Sequence, residues 1–234
     1  VKMMKENARN LMAKLEFPSD AQIELLNTLD VLLETDEFAN IVKRYEDENC
    51  NIADMVEDTK NLAEAKEICV FTAHMLLFLC MCPVLKNRYA AKGIDEDIYY
   101  DTVRDLRYKL IECSLVHGKY GTMTTQWYER IFEMQIFALG RLQFEIIDTW
   151  FECDVKGRHI PKGTKVLSIH IPRTGTPLRH DLVVESYNKA KVFFDEEYNS
   201  DIIFICCSWL IYPWNRTVYK DGSNLAQFYD DFTI

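Results

Sequence analysis

Apolar residues recur at three- and four-residue spacing through roughly the first half of the chain, then from about position 139 they alternate with polar ones. The first pattern is that of amphipathic helices, the second that of half-buried strands. A helix over 4–15 is stopped by Phe17-Pro18-Ser19. Ser19 is placed to cap a second helix carrying Ile23, Leu26, Leu29, Leu32 and Leu33. Short helical pieces follow over 38–45. The most apolar helix spans 62–81, with Ile68, Phe71, Met75, Leu76 and Leu79. It should form the centre of a bundle, and Pro83 should break it. His74 lies on this helix, where a lone histidine reads as a satisfied core residue. A last long helix over 95–115 carries Ile98, Tyr99, Val103, Leu106, Leu110 and Leu115. Short connections make such helices antiparallel neighbours.

A short helix with Trp127, Ile131, Phe132 and Met134 leads into the alternating region. Over 139–147, Leu142, Phe144 and Ile146 fall on one face and Arg141, Gln143 and Glu145 on the other. A second strand places Leu167, Ile169 and Ile171 opposite Ser168 and His170. If the two pair antiparallel, one register that joins the apolar faces sets Glu145 opposite His170 and Ile147 opposite Ser168. A slip by one would turn polar side chains into the core; a slip by two would not. The polar face either meets water or lines a substrate cleft with Arg141, Gln143, Glu145 and His170.

The stretch PRTGTPLRHD follows. Thr176 and Pro177 read as N-cap and first helical residue of a helix to about 198. Its packing stripe is Leu182, Val183, Tyr187, Ala190, Phe193 and Phe194. A strand, a short turn and a helix N-terminus flanked by Arg173 and Arg179 can hold an anion. The alternative is that both arginines are solvated and Gly175 only makes the turn. The apolar run DIIFICCSWLIYP suggests a strand buried on both faces, so 165–207 forms one strand–helix–strand unit. The end, DGSNLAQFYDDFTI, reads as a short helix capped at Ser223 and the start of another strand. That apolar close, and the opening on Val1, suggest a fragment.

The chain has 234 residues, 48% hydrophobic composition and a formal net charge of −10. Such a balance argues against nonspecific binding to nucleic acid and against an anionic membrane surface. No run of about eighteen apolar residues and no signal peptide is present, which points to a cytoplasmic protein. The eight cysteines lack paired metal-ligand spacing, so no metal is expected. Cys80, Cys82, Cys206 and Cys207 read as buried, reduced thiols.

The segments WYERIFEMQIFALGRLQFE, LSIHIPRTGTPL and SNLAQFYDDFTI resemble a bacterial family of acyltransferase domain-containing proteins. In these an all-helical N-acyltransferase N-terminal domain precedes a GNAT-like C-terminal domain. The resemblance covers nearly the whole chain. It implies an α+β protein: a helical domain over 1–118, then a GNAT-like mixed α/β sheet domain over 119–234, incomplete at its C-terminus. The two should pack rigidly, with the 127–137 helix as joint. It further implies acyl transfer from acyl-CoA to a small-molecule or other amine acceptor. The CoA pantetheine would run along the second strand, and Arg173, Thr174, Gly175 and Thr176 would form the loop for the pyrophosphate. The superfamily loop has Gln or Arg, two residues, Gly, one residue, then Gly or Ala. Here Gly175 comes one residue early and Pro177 removes an N–H.

Amine acylation needs a base for the ammonium and an acid for the leaving thiolate. Glu145 or His170 can serve as base, directly or through water. Arg141 and Gln143 are candidates for substrate binding, and Tyr187, Tyr198 and Tyr212 are candidate acids. A thiol nucleophile at Cys206 or Cys207 is disfavoured by burial. The competing class is a GNAT-like binding or structural module that has lost CoA binding. A hydrolase with a Gly-x-Ser-x-Gly elbow is excluded.

Overall fold

The computed structural model describes residues 2–198 and 201–234, which divide after Met134 into two compact units.

The first unit is helical: α1 (Lys2–Lys14), α2 (Ser19–Leu32), α3 (Asp36–Lys43) with a 3-10 turn at Arg44–Glu46, α4 (Ile52–Ala65), α5 (Val70–Ala91), α6 (Glu96–Val103), α7 (Asp105–His117) and α8 (Thr125–Phe132). Helix α5 is the centre, packing against α1, α2, α3, α4, α6, α7 and α8. Every residue from 72 to 82 is buried. It is long and apolar enough to cross a membrane, but 67% of its most apolar window is buried inside the protein.

Four expectations for this unit change. The helix read over 95–115 is two, α6 and α7, divided at Arg104. The helix read over 62–81 is two helices, because Glu67 takes a left-handed φ of 55° and the Ile68 N–H turns back to the Ala63 carbonyl. Pro83 lies inside α5 rather than ending it. Its missing N–H costs roughly 3 kcal/mol, which burial around the whole circumference of α5 offsets. Ser19 is the first residue of α2 and makes no capping bond. His74 behaves as read: it is 6% exposed and its Nε2 lies 3.1 Å from the Val56 carbonyl.

Helix α8 goes with the helical unit, so the division falls at 134/135 and not at 118/119. The loop at Gly118 suggested the earlier point, but burial decides otherwise. Phe132 and Tyr128 are buried, their rings 5.4 and 4.8 Å from that of Phe78. The Tyr45 hydroxyl donates to the Phe132 carbonyl. Asp105, 2% exposed, accepts from Trp127 Nε1 and the Tyr128 hydroxyl at 3.1 Å each.

The second unit holds β1 (Ile136–Leu139), β2 (Leu142–Asp148), β3 (Cys153–Val155), β4 (Arg158–Ile160), β5 (Lys165–His170), α9 (His180–Phe193), α10 (Asp195–Tyr198), β6 (Phe204–Cys206), two 3-10 turns and α11 (Asn224–Asp230). The main sheet has the order β1-β2-β5-β6, while β3 and β4 form a separate ribbon within the connection from β2 to β5. β2 pairs antiparallel with both β1 and β5. β6 pairs parallel with β5, so α9 is the expected crossover.

The strand read over 139–147 is in fact a hairpin. Leu139 pairs with Leu142, leaving Gly140 and Arg141 as its two-residue turn. Gly140 has φ 76°, the left-handed value such a turn requires at its first position. Arg141 therefore stands in the turn and not on the polar face of a strand. The register between β2 and β5 is offset by two from the one considered: Gln143 faces His170, and Glu145 faces Ser168. The apolar face carries Phe137, Phe144 and Phe204. The ring of Phe137 lies 4.9 Å from that of Phe193 on α9, and the rings of Phe144 and Tyr187 lie 5.7 and 5.6 Å from Phe204.

The apolar run after α10 yields only the three half-buried residues of β6, at the edge of the described sheet and not in its middle. Two 3-10 turns, Trp209–Ile211 and Pro213–Thr217, use the rest, and Trp209 is 75% exposed. Cys207 is exposed, not buried. Ser223 does cap α11, accepting from the Ala226 N–H. No strand follows it among the described residues; the Phe232 ring instead meets Phe228 edge-on.

Candidate functional site

The alternation of β2 and β5 brings Gln143, Glu145, Ser168 and His170 to one face of the sheet. This face is not a simple water-facing surface: Gln143 is 2% exposed and Ser168 6%. Glu145 and His170 are diagonal neighbours on the antiparallel pair, a separation that long side chains bridge. His170 Nε2 lies 2.7 Å from Glu145 Oε2, with the carboxylate side chain 13% exposed and the imidazole 31%. A ring nitrogen engaged by a carboxylate fixes the orientation of the imidazole. Glu145 is the more buried partner and His170 the more accessible one. Gln143, expected to line a cleft, is instead a buried member of the central strand pairs.

β5 ends at His170 and the chain passes into the loop 171–179. Arg141 reaches this loop from the β1–β2 turn. Its Nη1 donates to the Pro172 carbonyl at 3.1 Å, Nη2 to Thr176 at 2.9 Å and Nε to Pro177 at 3.4 Å. Arg141 was expected to bind substrate; these bonds commit its guanidinium to the loop. They also explain why Thr176 and Pro177 do not start the helix. With their carbonyls turned to Arg141, the helix begins at His180, with Arg179 in extended conformation before it.

The other loop residues divide by role. Thr174 Oγ1 accepts from the Thr176 N–H at 3.0 Å, and the Thr174 N–H bonds the Pro172 carbonyl at 2.9 Å. Gly175 has φ 81°, with nothing within 4 Å of the place a Cβ would take, so glycine serves conformation there and not space. Arg173 is exposed and has no ion pair or hydrogen bond among the described residues. Arg179 instead pairs with Asp181 in the first turn of α9. The Asp181 carboxyl is held below the usual carboxylate range, first by Arg179 and also by the backbone N–H groups of Leu182 and its own residue. A carboxylate of the chain thus already occupies part of the helix N-terminus.

Three residues here escaped the sequence reading: Asp181, Ser186 and Asp231. Ser186 is fully buried; its Oγ accepts from the Arg141 N–H and donates to the Leu182 carbonyl, both at 2.8 Å. A polar residue inside the stripe Val183, Tyr187 and Ala190 was the available signal. Asp231 receives the Tyr187 hydroxyl at 3.1 Å and lies 2.9 Å from His180 Nε2. Burial, then the Asp231 charge, push the Tyr187 phenol far up, so it holds its proton. Tyr212 is 57% exposed in the segment before Pro213. The side chain of Tyr198 lies outside the described residues. Burial, with Cys207 beside it, pushes the Cys206 thiol up to about 12, which makes it a poor nucleophile.

Residues 6–134 match the family model of an N-acyltransferase N-terminal domain, and 136–234 that of a GNAT-like C-terminal domain. No curated protein sequence matches the chain. Among solved structures, the chain is similar to an acyltransferase in complex with decanoyl-CoA and teicoplanin, at 22% identity and TM-score 0.70 over 98% of this chain and 69% of that one. A mutant acyltransferase in complex with octanoyl-CoA matches at 22% identity and TM-score 0.69, with the same coverage. An acyltransferase in complex with CoA and 10C-teicoplanin matches at 21% identity and TM-score 0.69, over 97% and 69%. At these identities the likeness is one of fold.

Proposed function

The chain belongs to the family of N-acyltransferase N-terminal domain proteins, here joined to a GNAT-like domain, and from that premise we propose that it transfers an acyl group from acyl-CoA to an amine on a small-molecule acceptor. The observation that carries this reading is the Glu145–His170 pair, 2.7 Å apart at the end of the strand that runs into the Arg173 loop. Two of the solved structures of like fold carry an acyl-CoA, one of them together with teicoplanin, and a third carries CoA and 10C-teicoplanin. That supports the donor class and leaves the acceptor open.

In this mechanism Arg173, with the outward N–H groups of the loop, holds the donor's phosphates. The thioester then extends back along β5 toward His170. His170 takes a proton from the acceptor ammonium through Nδ1, while Nε2 donates to Glu145, whose charge stabilises the imidazolium. The freed amine forms a C–N bond at the thioester carbonyl, and the C–S electron pair leaves on the thiolate. The nitrogen's second proton, passed directly or through water, ends on sulfur, which leaves a neutral amide and the free thiol. No covalent enzyme intermediate is needed, in keeping with the raised thiol of Cys206.

A second reading, a GNAT-like module without CoA binding, is favoured by Pro177 and by Asp181 at the helix N-terminus. Calorimetric titration with decanoyl-CoA separates the two. Binding that weakens in Arg173→Ala supports the transferase. A folded protein that takes up no acyl-CoA supports the module instead.

A further inference from the structure

We infer that Arg141 is a positioning residue that sets the anion-binding face of the 171–179 loop before any donor arrives. The inference rests on the acyl-CoA reading and assigns how that loop is kept competent.

The geometry begins at the hairpin turn. Gly140 has no Cβ, and one added there would lie 2.8 Å from Ser186 Oγ, so the turn abuts α9 directly. The Arg141 N–H then bonds Ser186 Oγ, which in turn donates to the Leu182 carbonyl in the same helix. The backbone of Arg141 is therefore fixed against the first turns of α9. From that base the side chain delivers three separate N–H donors to three carbonyls, at Pro172, Thr176 and Pro177. They bracket Thr174 and Gly175. A guanidinium is the side chain able to do this, since its donors lie in a rigid planar fork.

Orientation follows from peptide geometry. In a trans peptide the carbonyl and the next N–H point in opposite directions, and no peptide bond among the described residues is cis. Holding the Pro172 and Pro177 carbonyls toward Arg141 turns the N–H groups of Arg173 and Leu178 away from it. Both are outside helix and strand, and neither has an acceptor among the described residues. The Thr176 N–H, by contrast, is spent on Thr174 Oγ1, and Pro177 has none. Arg141 thus aligns the donors that the short, proline-containing loop still possesses. Its fixed charge lies behind them and favours an anion in front. Preorganised donors of this kind act without reorganisation when charge arrives.

The test compares an acyl-CoA with the matching acyl-pantetheine, which lacks the phosphates. Decanoyl-CoA and decanoyl-pantetheine are titrated into wild-type protein, Arg141→Ala and Arg141→Lys. Wild type should prefer the CoA ester, and in both variants that preference should fall by about tenfold or more, since lysine keeps the charge but not the fork. Binding of the pantetheine ester should stay within about twofold. General destabilisation would weaken both ligands alike. In the unliganded protein, amide exchange of the 171–179 segment should speed up in both variants relative to α9. A folded variant that keeps the wild-type preference, or wild-type exchange in the segment, overturns the inference while leaving the acyl-CoA reading intact. A wild-type protein with no preference between the two esters overturns both.

Discussion

Glu145 and His170 touch at 2.7 Å although neither is the other's partner in the β-ladder: Glu145 faces Ser168 and His170 faces Gln143. The contact is diagonal, and the carboxylate reaches along the strand to the imidazole. In the proposed mechanism Glu145 holds the ring and His170 exchanges the proton. Replacing His170 with Ala should lower kcat for acyl transfer by about 10²–10⁴-fold, the usual weight of a general base. Glu145→Gln, which keeps a hydrogen-bond acceptor and loses the charge, should cost less. In both variants KM for the acyl-CoA should change little, because the loop is untouched. Steady-state kinetics with thiol release as readout checks this; unchanged kcat in His170→Ala would remove the pair from the mechanism.

The period of the sequence placed Glu145 and His170 on one face, but period two does not distinguish registers two residues apart, and the actual one had to come from the structure. The same pattern concealed the β1–β2 turn. Alternation continues through Arg141, so the strand looked unbroken. The signals were Leu139, an apolar residue on what would be the polar face, and Gly140, which supplies the left-handed turn residue. Arg141 therefore falls in the turn, with its guanidinium on the 171–179 loop. The helical unit was legible from its 3.6-residue period, apart from breaks decided by backbone detail at Glu67 and tolerated at Pro83. β6 was overread because its apolar run is spent on 3-10 turns at the sheet edge, where Trp209 stays exposed.

Asp181 sits where a phosphate would gain from the helix N-terminus. Neutralising it by Asp181→Asn removes a like charge and releases Arg179 from its ion pair. Affinity for acyl-CoA should rise by about two- to fivefold, the scale of a charge near an exposed helix end. The gain should shrink at high salt. Calorimetry at two ionic strengths measures it; weaker binding would show that the pair assists the donor.

Gly140 combines φ 76° with the Ser186 hydroxyl 2.8 Å from the place of its missing Cβ. Gly140→Ala should therefore destabilise the GNAT-like unit by about 1–3 kcal/mol from backbone strain alone, with the displaced Ser186 adding to it. Ser186→Ala on that background should recover only part of the loss, since it relieves the clash and not the strain. Thermal melts of the single and double variants separate these contributions, and full recovery would show that the φ is not strained.

His74 gives a pH dependence whose sign is fixed by burial. Desolvation, larger than the opposing effect of the Val56 carbonyl, lowers its pKa below the ordinary 6.5. The unfolded chain therefore binds the proton more readily than the folded one, and protonation favours unfolding. Stability from this residue is fully present above about pH 6.5 and is lost as pH falls through the depressed folded value. In His74→Gln, which keeps a donor for the Val56 carbonyl and does not titrate, the melting temperature of the helical unit should fall less steeply between neutral and acid pH. Parallel melts across that range decide the point; identical slopes would mean that His74 is reached by water and titrates alike in both states.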